Sequence, residues 1–171
     1  ERHTSWGARR ACRVVWSLAV AGHREGLLDI LHQRDWSSLP VHEGAQLHEV
    51  FLWMHLEHPG SLVEPRADSV AHCLSCWTLL QSSSSHGCLS LMRSLAQACH
   101  KLGCAVHSQC ILPGTLLVSA VDGHPDRWRF GLAVLQPGGL LRDARNSRCL
   151  KAGHVVLRER LSTAAGWPPV S

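Results

Sequence analysis

Basic side chains collect toward the carboxyl end of this chain, where they could bind phosphate. Residues 127–171 contain eight Lys or Arg and two acidic residues, a balance of +6, whereas the whole chain carries +4. Residues 1–126 therefore sum to −2. A basic terminal quarter is typical of a surface that binds a polyanion through counterion release. The alternative is a solvated surface helix with no ligand.

Nine residues of this region form the predicted phosphate-binding set. Arginine presents a planar fork that holds phosphate through two hydrogen bonds and stacks on bases. Trp128 would stack a base if exposed and would belong to the core if buried. Gly153 and His154 begin a predicted helix whose first N–H groups favour an anion. The set comprises Arg127 and Arg129 on a predicted strand, Arg142, Arg145 and Arg148 in the loop after it, and Lys151, His154, Arg158 and Arg160 on the last helix.

Several cysteines and histidines of the chain are candidate zinc ligands. Cys73-x-x-Cys76 could join one of five later residues in a structural zinc site, or pair with His55-Leu56-Glu57 as in zinc deaminases. The two cysteines lie in an apolar helical stripe, and no zinc-ribbon spacing follows them. We therefore predict buried reduced thiols, no metal and no cofactor. The later candidate ligands are Cys99, His100, Cys104, His107 and Cys110.

Other motifs with a known mechanism are missing from the sequence. It has no Gly-x-Ser-x-Gly, no Walker loop and no Gly-x-Gly-x-x-Gly. No apolar run approaches the roughly 18 residues of a membrane span, so we expect no membrane partner. The chain begins at Glu1 rather than Met, which predicts a processed chain or a fragment.

The first part of the chain has helical periodicity. Residues 8–21 and 25–34 predict two helices that form a hairpin, separated at Gly22, and two more helices follow before residue 82. A run of four serines begins at Ser82 and marks a domain boundary, which divides a helical repeat region, 1–81, from a second module, 86–171. The predicted core face of the first helix comprises Val14, Val15, Leu18 and Ala21.

Beyond the serines the period changes. A helix ends at Gly103, and three short β-rich runs follow over residues 104–112, 115–121 and 128–135. A basic amphipathic helix with a Gly-Trp exit closes the chain. The predicted fold class is α+β, with helical hairpins followed by a small α/β module.

The terminal module resembles the RAP domain, which ends many organellar RNA-binding proteins, including the FAST-kinase family. The resemblance lies in Leu112-Pro113-Gly114 before a strand, Gln136-Pro137-Gly138 after one, and a helix that opens with Lys151-Ala152-Gly153-His154 and ends with Ala164-Ala165-Gly166-Trp167. Residues 15–20 and 46–53 are similar to the helical repeats that precede such domains. The resemblance implies a restriction-endonuclease-like fold and RNA as the partner.

The resemblance also places an acidic pair on a central strand, and this chain departs from it. With Pro137 aligned, Ala133 and Leu135 occupy the acidic positions, and neither can hold the metal ions that phosphodiester cleavage needs. The nearby Asp122 and Asp126 fall in a predicted turn. We therefore expect no catalytic residues and no enzyme activity.

The resemblance thus implies a non-catalytic RNA-binding protein of a mitochondrion, with a plastid as the alternative location. It would act in RNA metabolism or within a ribonucleoprotein such as the mitochondrial ribosome, and its helical region would bind protein partners. Two other functions stay open. One is an RNA-processing endonuclease that uses Asp122 or Asp143, and the other is a structural protein-protein adaptor.

Overall fold

The computed structural model describes residues 7–59, 65–84, 89–112, 116–122, 129–132, 140–142 and 149–166. Helices dominate, and the strands pair only in antiparallel fashion, which confirms the α+β class at this coarse level. The chain divides into two compact units, an N-terminal unit, Glu1–Ser85, and a C-terminal unit, His86–Ser171. None of the described helices has both the length and the hydropathy to cross a bilayer.

The described residues of the N-terminal unit form four helices: α1 (Ala8–Ala21), α2 (Leu27–His32), α3 (Val41–Glu57) and α4 (Ala67–Ser84). The bounds of α1 are as predicted, because Gly22 adopts a left-handed φ of 77° that ends the helix. Gly26 has a φ of 76°, so α2 starts later than predicted. Helix α4 continues to Ser84, so it extends into the serine run at which the domain boundary is predicted. Serine costs only a few tenths of a kcal/mol in a helix, so a short run of it does not by itself stop one.

The core of this unit surrounds α3, which packs mainly against α4 and α1. Nearly every residue of α3 from Glu43 to Met54 is buried, including the charged and polar Glu43, His48 and Glu49. The side chain of Trp36 is also buried, and its indole N–H donates to the Leu31 carbonyl at 2.9 Å. A helix buried on most of its circumference has few polar positions that can mark it in the sequence.

The face that α1 turns to the core differs from the predicted one. Its buried residues are Ala11, Cys12, Val15 and Ala19. The thiol of Cys12 lies 3.3 Å from the backbone carbonyl of Glu43, so α1 and α3 approach closely. Small side chains permit that approach, and the larger aliphatic residues lie elsewhere on the helix. The prediction was therefore correct for Val15 and wrong for Val14, Leu18 and Ala21, none of which is fully buried.

The C-terminal unit starts with helix α5 (Leu89–Lys101) and ends with helix α6 (Gly153–Ala164). Between them, β1 (Ala105–Leu112), β2 (Leu116–Asp122) and β3 (Arg129–Leu132) form one sheet in that order. A separate hairpin pairs β4 (Leu140–Arg142) with β5 (Cys149–Lys151). Helix α5 contacts β1, and α6 contacts β2.

Three predicted placements in this unit were wrong. Arg142 lies in β4 and not in a loop, Lys151 ends β5 and does not belong to the helix, and Asp122 is the last residue of β2 and not part of a turn. The strands that hold Arg142 and Lys151 have only three residues and are too short to show the alternation that identifies a strand, whereas β2 extends one residue beyond its predicted end at Val121. The predicted acidic positions Ala133 and Leu135 lie outside the described residues.

Candidate nucleic-acid interface

An ion pair joins the end of β5 to the middle of α6. The Lys151 ammonium donates to both carboxylate oxygens of Glu159, at 2.6 and 2.9 Å. These side chains are only 35% and 25% exposed, so the pair is partly shielded from water. Glu159 therefore balances the charge of Lys151, and Lys151 should bind phosphate more weakly than the sequence suggests.

His154 and Arg158 form the most accessible part of the predicted set. Both are exposed on α6, and they lie four residues apart, so they share one face of the helix. Arg160 is half-buried and lies about 200° around the helix from Arg158. The structure thus brings His154 and Arg158 together and directs Arg160 toward another side.

The start of α6 is electrostatically open to an anion. Ala152 precedes the helix, no side chain caps it, and its first turn holds no acidic residue. The carbonyl of Ala152 accepts hydrogen bonds from the amides of Val155 and Val156. The first amides of a helix carry a partial positive charge that favours an anion, and the exposed His154 lies in this first turn.

Two further members of the set lie at strand ends. Arg129 begins β3, where its backbone is in register with Asp122, and Arg142 ends β4 opposite Cys149. Arg127, Arg145 and Arg148 lie outside the described residues, as does Trp128. The structure therefore places six of the nine residues, four of them with their side chains.

Exposed aliphatic side chains lie on the β4–β5 hairpin. Leu141 lies directly opposite Leu150, and each is about half exposed. Cross-strand neighbours project to the same side of a hairpin, so these leucines form a small apolar pair. Such an apolar pair offers a base or an aliphatic side chain a surface to contact.

The sequence interpretation overlooked a second basic cluster, at the start of α1. Arg9 donates to the buried carboxylate of Glu43, and the Arg13 guanidinium lies 3.7 Å from the same oxygen. The hydrogen bond from Arg9 holds the pKa of Glu43 below its usual value. Arg10 is exposed between them. The signal was the sequence Arg-Arg-x-x-Arg in a helix with no acidic residue, which the near-neutral charge of residues 1–126 obscured.

Two of the proposed zinc ligands, Cys73 and Cys76, are buried thiols of α4, whereas Cys99 and Cys104 are partly exposed. Burial raises the pKa of the Cys73 thiol to about 12, as it does for Cys12 of α1. The six cysteines that the structure describes are free. Of the deaminase-like residues, His55 is exposed and Glu57 accepts a hydrogen bond from the Trp53 indole at 2.6 Å. Among the described residues, no group of three or more His, Cys, Asp or Glu could hold a metal ion.

No family model, no curated protein and no solved structure matches the chain.

Proposed function

We propose that this protein binds RNA without cleaving it, through the basic surface of its C-terminal unit. The central contacts are His154, Arg158 and the N-terminal amides of α6. The arginines in and between β3, β4 and β5 add further charge along the RNA backbone. Phosphate contacts of this kind position a protein on nucleic acid without reading its sequence.

The net positive charge of this part of the sequence supports this proposal. Residues 127–171 contain eight cationic and two acidic residues, and the pair of Lys151 with Glu159 removes one of each. Seven arginines then stand against Asp143. A region with so large an excess of guanidinium groups binds a polyanion more favourably than it binds a neutral partner.

The finer parts of the proposal rest on the resemblance to the RAP domain. We infer a RAP-like module behind helical repeats, an organellar location, most simply the mitochondrion, and a role in RNA metabolism or in a ribonucleoprotein. Ala133 and Leu135 at the expected acidic positions favour binding over cleavage, because neither side chain can ligate a metal ion.

Substitutions on α6 test the proposed contacts in the full chain. Arg158→Gln should weaken binding to single-stranded RNA about fivefold, the equivalent of roughly 1 kcal/mol, because one phosphate contact is lost. His154→Ala should weaken it less. Fluorescence anisotropy with a labelled RNA of mixed sequence measures both effects.

Two control variants make the test specific. The double variant Lys151→Gln with Glu159→Gln keeps the net charge, and we expect it to leave the affinity unchanged because the pair is already neutral. Arg24→Gln removes one exposed charge from the N-terminal unit and should also have no effect. If Arg24→Gln weakened binding as much as Arg158→Gln, net charge and not the α6 surface would be responsible. Metal-dependent RNA cleavage that Asp122→Ala or Asp143→Ala abolished would favour the endonuclease instead.

A further inference from the structure

Helix α5 has a basic stripe on its solvent side. None of its residues is acidic. Successive residues of an α-helix are about 100° apart, which places four polar side chains within an arc of about 100°. All four are exposed, whereas Cys99, about 150° from the middle of this arc, is half-buried. These four residues, called the α5 stripe below, are Arg93, Gln97, His100 and Lys101.

The stripe extends along most of the helix. Arg93 and Lys101 are eight residues apart, which corresponds to about 12 Å along the helix axis, and Gln97 lies one turn from each. Phosphates along one strand of a nucleic-acid helix are about 3.4 Å apart along its axis, so the two cations span about three nucleotides. Guanidinium, amide, imidazole and ammonium groups all donate hydrogen bonds, and each can contact a phosphate oxygen.

The positive charge of the stripe is not balanced by a nearby carboxylate. Residues 86–121 contain Arg93 and Lys101 and no acidic residue. Neither cation has an ion pair within the part of the chain that the structure describes, in contrast to Lys151 of the same unit. The charge balance of the sequence concealed the stripe, because Asp122 and Asp126 offset the two cations in the sum over residues 86–126.

The composition of the stripe favours a phosphate backbone over a protein surface. A protein interface normally has an apolar or aromatic anchor at its centre. The α5 stripe contains no such side chain, and the nearby Leu102, which is 80% exposed, follows the helix and lies outside the arc. A phosphate backbone requires only cations and hydrogen-bond donors.

We propose that the α5 stripe is a further contact of this protein with the phosphate backbone of RNA. Arg93 and Lys101 pair with phosphates, and Gln97 donates a hydrogen bond between them. This proposal rests on RNA binding by the C-terminal unit, and it extends the RNA-binding surface to a helix that precedes the basic terminal quarter of the sequence. Contacts of this kind do not depend on the base sequence of the RNA.

One substitution separates RNA contact from a purely structural role. In the structural alternative, His100 and Lys101 only stabilise the last turn of α5 through the helix dipole. Gln97→Glu places a carboxylate four residues before Lys101, an arrangement that stabilises a helix. The same carboxylate would repel a phosphate backbone, so we expect RNA affinity at least about fivefold weaker with no loss of stability. Fluorescence anisotropy with single-stranded RNA measures the affinity, and urea unfolding measures the stability.

Charge removal and charge exchange supply the second arm. Arg93→Gln with Lys101→Gln should weaken binding about tenfold and reduce the magnitude of the salt slope by about 1.4, because two phosphate contacts are lost. Arg93→Lys with Lys101→Arg keeps both charges and should bind within about twofold of the native chain. The matched controls change exposed residues of the N-terminal unit and should have no effect: Gln33→Glu, and Arg24→Gln with Arg66→Gln.

The proposal is overturned if Gln97→Glu binds RNA as tightly as the native chain, or if the arginine control weakens binding as much as the double change in α5. Weaker binding by Arg158→Gln with native affinity in the α5 variants would leave the proposed function standing and refute the α5 contact alone. A native chain that does not bind RNA would refute both.

Discussion

At the scale of single residues, burial decides which titratable groups can act. His48 is 7% exposed, and its ring centre lies 5.4 Å from that of Trp77. Burial lowers the pKa of this imidazole to about 4. His48 is therefore neutral in the folded protein at physiological pH, and it stabilises α3 as a packed core residue. The sequence could not distinguish His48 from exposed histidines such as His23 and His42. The apolar residues near His48 do not show which face of α3 is buried, because the helix is buried on most sides.

This histidine should make stability depend on pH. The unfolded chain protonates the imidazole near pH 6.5 and the folded chain only near pH 4, so the unfolded state binds more protons between these values. Stability is complete above pH 6.5 and falls as the pH drops toward 4, by up to about 3 kcal/mol from this group. Urea unfolding of the native chain and of His48→Gln at pH 7 and pH 5 measures the contribution as the difference between their pH dependences.

The variant His23→Gln is the matched control, since His23 is exposed. It should retain the pH dependence of the native chain. If His48→Gln lost as much stability on acidification as the native chain, protonation of His48 would not contribute.

At the scale of elements, the sequence predicted helices better than the faces they bury. Glycine fixed the end of α1 at the expected residue, since a positive φ stops a helix regardless of what surrounds it. The spacing of apolar residues did not identify the buried face of α1, because that face also depends on the helix that packs against it. Small residues at Ala11, Cys12 and Ala19 allow α3 to come close, and the partner helix decides which apolar row is covered.

The contact between α3 and α4 carries a prediction at this scale. A Cβ atom added at Gly44 would lie 2.7 Å from the sulfur of Cys76 and 3.0 Å from its Cβ atom. Gly44→Ala gains up to about 1 kcal/mol of helix propensity but forces these helices apart, and we expect a net destabilisation of roughly 1 to 2 kcal/mol. Chemical denaturation measures the change in the free energy of unfolding.

A second substitution checks the cause. Cys76→Ala removes the sulfur, so the double variant Gly44→Ala with Cys76→Ala should be more stable than the two single changes predict by addition. Gly7→Ala serves as the control, because an added Cβ there meets nothing within 4 Å. Strict additivity in the double variant would contradict a clash at this contact.

The sequence did not predict the short strands β4 and β5, for a different reason. The hairpin of β4 and β5 is held by pairing between Leu140 and Lys151, Leu141 and Leu150, and Arg142 and Cys149. Three residues contain at most one full alternation, and isolated hairpins of this size are marginal in water. The ion pair of Lys151 with Glu159 ties this hairpin to α6, and such a pair between residues on different elements has no signature in the sequence.

At the scale of the whole molecule, the charge is divided unequally between the two units. The C-terminal unit holds the predicted phosphate-binding set, and in the N-terminal unit Arg9 and Arg13 of α1 pair with the buried Glu43. The total charge and its asymmetry were readable from composition. The structure was needed to show the pairing of Lys151 with Glu159, the separation of Arg158 from Arg160 around α6, and the partial burial of Val14 and Leu18.

The most direct test of RNA binding by the C-terminal unit is the salt dependence of the affinity. For single-stranded RNA of about 30 nucleotides, the logarithm of the association constant should fall linearly with that of the salt concentration, by about 0.7 for each phosphate neutralised. We predict a slope of roughly −2 to −4 for the native chain, and a slope smaller in magnitude by about 0.7 for Arg158→Gln. An affinity that does not change with salt, or a slope that Arg158→Gln leaves unchanged, would contradict the account.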